Sequence, residues 1–124
     1  MNPAERRMAR LLAVRRVKLQ AAGRRLAAAT QMVTQLQTTT ARIARLRDDL
    51  GLPVRMLTGY EAKAVTAARA MLGAANVRQH GRIAEAQRRR GDAAAAVNAD
   101  HAAADAVERA IERARAAAPS ERKP

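Results

Sequence analysis

The chain has 124 residues with no Phe, Trp or Cys and a single aromatic, Tyr60, so a thick core filled by large rings is excluded and thiol chemistry with it. A net charge of +13, from 24 Lys and Arg against 11 Asp and Glu, points to nucleic acid, anionic lipid or an acidic protein surface as the class of partner. The absence of Cys fits a reducing compartment, no apolar run is long enough to cross a membrane, and the charged start lacks the apolar region of a secretory signal. The Arg-rich opening could mimic a mitochondrial presequence, but its heptad runs without interruption into the helix that follows.

Asn2-Pro3-Ala4-Glu5 reads as a helix start: Asn accepts from free amides, Pro suits the first turn, and Glu favours the positive helix end. The predicted first helix covers residues 3–50, roughly 70 Å at the helical rise. Met8, Leu12, Arg15, Leu19, Ala22, Leu26, Ala29, Val33, Leu36, Thr40, Ile43, Arg47 and Leu50 step alternately three and four residues, and all but Arg15, Thr40 and Arg47 are apolar. That repeat is the seam of a helix facing another helix. The stems of Arg15 and Arg47 can pack while their heads reach water. Thr38-Thr39-Thr40 is a weak spot, because β-branched residues cost helix propensity. Asp48 and Asp49 oppose the helix dipole and help to end the element or pair with nearby arginines.

Gly51, through the left-handed conformation it tolerates, and Pro53 are expected to close the first helix in a turn over residues 51–57. The second helix starts either at Pro53 or at the capping box Thr58-Gly59-Tyr60-Glu61; the latter gives residues 58–118, with a disordered tail at 119–124. Ile83, Ala86, Arg90, Ala93, Val97, Asp100, Ala104, Val107, Ile111, Ala114 and Ala118 form its seam. Leu57, Tyr60, Ala64, Ala68, Met71 and Ala75 form an earlier stripe on another phase, joined to it by a stutter between Met71 and Ile83. Gly91-Asp92 is a candidate local break.

The fold class is therefore all-α: two long helices in an antiparallel coiled-coil hairpin. With Leu50 opposite Thr58 and equal rise, Pro3 faces Asp105, and Val107 and Ile111 project beyond the first helix as a patterned overhang able to dock. The same register sets Arg82 and Arg88-Arg89-Arg90 opposite Lys18, Arg24 and Arg25, a basic collar for carboxylates or phosphates, or a solvated arginine-rich face. The small seam residues Ala22, Ala86, Ala93 and Ala104 predict marginal stability.

No catalytic, cofactor or metal site is read from the chain. His80 and His101 lack the three- or four-residue spacing of paired ligands, and no Gly-rich phosphate loop follows a strand. Nucleic-acid binding through the collar stays open as an alternative, without aromatic platforms for single strands. A membrane-surface helix is disfavoured, because the seam lacks aromatic anchors and already has a partner.

Arg10-Leu11-Leu12-Ala13-Val14-Arg15, a long heptad rod, a Gly-containing turn, the Tyr60 to Gln79 stretch and the terminal Val107-Glu108-Arg109-Ala110-Ile111-Glu112-Arg113-Ala114-Arg115 together resemble the flagellar export protein FliJ family and its YscO-type injectisome relatives. The resemblance implies a cytoplasmic hairpin, peripheral to the inner membrane through its partners. Its open end would enter the ring of the export ATPase, and the rod would contact the export gate protein and escort chaperones. It implies Arg6, Arg7, Arg10, Leu11, Arg15, Val107, Ile111 and Arg115 for the ATPase end, and Met71, Leu72, Ala75 and Gln79 for the gate. The chain departs from that family in its shortness, its strongly basic first helix and its near lack of aromatics.

Overall fold

A computed structural model describes residues 2–51 and 57–117. They form two helices, α1 (Pro3–Asp49, 47 residues) and α2 (Gly59–Ala117, 59 residues), and the fold is an all-α antiparallel hairpin. The expected tail at 119–124 and the Pro53 start lie outside the described residues.

The helix ends follow from local chemistry. Asn2 Oδ1 accepts from the Glu5 amide at 2.8 Å, capping α1. Leu50 donates its amide to the Leu46 carbonyl and Gly51 to that of Asp48. Gly51 is needed for a reason other than the expected one: the described residues include no glycine with positive φ, but a Cβ here would sit 2.8 Å from the Asp48 carbonyl oxygen. At the start of α2, Thr58 and Glu61 exchange side-chain and amide hydrogen bonds, each of 3.2 Å, a complete capping box.

Interior weak spots hold. The hydroxyls of Thr34, Thr38, Thr39 and Thr40 each donate to the carbonyl four residues back, which satisfies them without breaking α1. Helix α2 passes through Gly91-Asp92 without the expected break.

The hairpin divides into two units. The first joins α1 up to Ala28 with α2 from Gly91; the second is Ala29–Arg90. In both, the α1 seam read from the heptad turns inward: every position from Met8 to Leu50 is buried or half-buried except Arg47, with Ala22 and Val33 fully buried.

In the first unit Ala104 is buried, and Val97, Val107, Ile111 and Ala114 are half-buried. Arg16 donates to Glu108 at 2.7 Å, whereas the expected register places Asp92 opposite Arg16, about four helical turns earlier. Ala9 and Leu12 share an open cleft with Ile111 and Arg115. The expected overhang is therefore absent: Val107 and Ile111 run alongside α1.

In the second unit the displacement begins at the connection. The Leu50 carbonyl accepts from Arg69 Nε at 2.8 Å and also from its Nη2, so Arg69, not Thr58, stands beside the end of α1. The first turns of α2 are thus the part without α1 opposite, at the connection and not at the open end. The stutter is also absent. Traced back from Ile83, the inward positions are Gln79, Asn76, Leu72, Arg69, Val65 and Ala62, in unbroken alternation of three and four. Arg69, Asn76 and Gln79 disguise that seam in the sequence, while Tyr60, Ala64 and Met71 are exposed.

Candidate partner-binding surfaces

The first eight residues of α1 place Arg6, Arg7 and Arg10 on an exposed surface, lining a shallow groove with Pro3. The carboxylate nearest in sequence, Glu5, is occupied at the cap, where its Oε1 accepts from Asn2 Nδ2 at 3.5 Å. Leu11 is exposed and Arg15 half-buried on the seam. From the returning helix, Arg115 is exposed on the rim of the cleft it shares with Ala9, Leu12, Arg16, Glu108 and Glu112, and Ile111 lies in its wall. The structure thus brings the two halves of the expected ATPase-end set into one unit. It divides them by role: Arg6, Arg7, Arg10, Leu11 and Arg115 are available to a partner, and Arg15, Val107 and Ile111 hold the helices together.

The expected gate set does not form one face. Met71 is 73% exposed, but Leu72, Ala75 and Gln79 are half-buried. The Oε1 of Gln79 is buried with no hydrogen-bond partner, a costly arrangement for an amide. The outward ridge beside Met71 consists of Tyr60, Ala64, Ala67 and Ala74, with Tyr60 85% exposed. Sequence reasoning placed Tyr60, Ala64 and Met71 on the seam because bulk was read as core. Extending the Ile83 phase backwards is the signal that separates the two faces.

The basic collar is not formed as expected. Lys18, Arg24 and Arg25 belong to the first unit and Arg82 to Arg90 to the second, and the pairing used to join them differs from the observed one. Arg88 and Arg89 share Glu85 one turn back on their own helix, Arg89 Nε at 3.4 Å. What persists is a property of α1 alone: from Arg6 to Arg47 it contains no Asp or Glu.

His101 is not isolated, since its Nδ1 lies 3.1 Å from Asp105 Oδ2. Among the described residues no group of three or more His, Cys, Asp or Glu side chains could hold a metal, and no helix is long and apolar enough to cross a membrane. Compared with protein-family models, curated proteins and solved structures, the chain matches none of them.

Proposed function

We propose that this chain is a non-enzymatic coiled-coil adaptor of a flagellar-type (type III) protein export apparatus, acting in the cytoplasm and docking its open end to the export ATPase. The observation that carries the reading is the pairing in the first unit: the start of α1 and the end of α2 lie side by side, with Arg6, Arg7, Arg10 and Arg115 outward. Guanidinium groups on a preformed two-helix end suit carboxylates around an acidic socket, because each can make paired hydrogen bonds. The ridge of Tyr60, Ala64, Ala67 and Met71 replaces the earlier gate set as the surface offered to the export gate protein.

The test is co-purification of the full chain with its export ATPase. Removing residues from Val107 onward would also strip α1 of its packing, so charge reversal is the cleaner variant. Arg6→Glu/Arg7→Glu/Arg10→Glu should abolish co-purification while leaving helical circular dichroism unchanged. ATPase capture equal to the parent chain would sink the proposal.

A second reading, contact with nucleic-acid phosphates, draws on the lack of carboxylates from Arg6 to Arg47. It requires affinity for unrelated duplexes that falls steeply with salt. Nuclease treatment before co-purification separates the two readings.

A further inference from the structure

We infer that the outward face of α1 between Val14 and Ala28 is a docking surface for an anionic lipid bilayer. At roughly 100° per residue, the exposed Val14, Val17 and Ala28 fall within roughly 60° of arc, on the side of the helix opposite Leu12, Leu19 and Leu26, with the half-buried Ala21 between them. Those leucines are half-buried in the hairpin seam. Val14 and Val17 are 50% and 63% exposed, although both are large apolar residues. Arg24 borders this ridge on one side, and Lys18 and Arg25 border it on the other; all three are exposed and none forms an ion pair among the described residues.

Along the same arc of α1 the exposed Met32 and Leu46 follow farther on. Between Arg25 and Arg42 α1 carries no Lys or Arg, so the exposed Met32 has no cations framing it as Val14 and Val17 do. Apolar residues framed by cations, lying along the helix, match a helix seated parallel to a membrane surface: short side chains enter the headgroup boundary and long cationic stems reach out to lipid phosphates. The seam is already occupied by α2, so the docking face is this second, outward one, and it needs no unfolding of the hairpin.

Charge complementarity favours an anionic surface and disfavours a second copy of the chain, which would bring +13 against +13. Among polyanions, the exposed valines favour lipid over a nucleic-acid duplex, whose backbone is gripped by cations alone. The contact is weak and reversible, because a few cations and a short apolar ridge act together in place of a deep anchor. The inference is independent of the export reading, and the following experiment contains no ATPase, so either can fail alone.

The full chain is sedimented with vesicles of phosphatidylcholine alone, and with vesicles in which about a third of the lipid is phosphatidylglycerol. It should bind only the second, and less as salt rises. Lys18→Gln/Arg24→Gln/Arg25→Gln should lower partitioning by about a hundredfold, at about fivefold per cation near the surface. Val14→Ser/Val17→Ser keeps every charge and should lower vesicle binding about tenfold, with unchanged helical circular dichroism and unchanged retention on a duplex DNA column. Failure of the parent chain to sediment with anionic vesicles would overturn the inference. So would undiminished vesicle binding by the valine variant, which would assign the face to phosphates in general.

Discussion

The two units are built on one heptad and stabilised differently. In the first, a basic stretch of α1 faces a stretch of α2 that carries Asp92, Asp100, Asp105, Glu108 and Glu112, and one of these, Glu108, is joined to Arg16. In the second, α2 is dominated by cations, while α1 has Arg42, Arg45 and Arg47 against Asp48 and Asp49. The acidic residues of that part of α2 serve locally instead: Glu61 in the cap and Glu85 beside Arg88 and Arg89. Charge complementarity can therefore choose the register of the first unit. The second relies on steric fit at Val33 and Ala86, and on Arg69 closing the end of α1. A seam pattern gives a helix its inward face, but the axial register needs features that are not periodic.

That contrast can be broken experimentally, starting where the effect is largest. Val33→Ala removes the most deeply buried side chain and should cost about 2 kcal/mol in urea denaturation. A loss below a few tenths would mean that the second unit is not held by packing. Arg69→Met keeps the aliphatic stem but leaves the Leu50 carbonyl without its guanidinium; about 1.5 kcal/mol should be lost, with fraying seen as faster amide exchange near Leu46. Gln79→Leu should stabilise by about 1 kcal/mol, since it replaces an unsatisfied buried carbonyl by apolar volume. Destabilisation would show that Gln79 has a polar partner in solution.

Smaller effects sharpen the other side. Gly81→Ala and Gly91→Ala should each add roughly 0.8 kcal/mol, because both lie within α2 and a Cβ at either meets nothing within 4 Å. A double-mutant cycle on Arg16 and Glu108 should give a coupling of about 0.5 kcal/mol at low salt, vanishing near 1 M. The side chains are 60% and 42% exposed, so the pair selects register more than it contributes stability. A coupling that resists salt would contradict that division of labour.

Much of the hairpin was legible because helical chemistry is local. Asn2, Thr58 and Glu61 perform the capping roles read from their spacing, and the α1 seam turns inward from Met8 to Ile43. The register was not legible. Equal rise from the turn assumes that both helices begin together, whereas Arg69 reaches Leu50 and displaces every later pairing. The early part of the α2 seam was hidden for a different reason. Arg69, Asn76 and Gln79 occupy inward positions while Tyr60 and Met71 point out, so hydrophobic size gave the wrong phase. For the candidate surfaces, the basic end was readable from composition, but exposure of Val14 and Val17 could not be known before the inward face of α1 was fixed.

The hydrogen bonds of Arg69 also set an order for events during synthesis. The contact that closes α1 spans 19 residues of chain, while the ion pair of the first unit spans 92. Loop-closure entropy favours the shorter span, so the hairpin should zip from its connection outward as the chain emerges from the ribosome. Until Glu108 is translated, the basic opening of α1 waits without its acidic counterpart. Chains stalled with residue 95 just clear of the ribosomal exit tunnel should already protect the second unit from protease while leaving residues 6–25 open to cleavage; uniform sensitivity would show that the hairpin closes only as a whole.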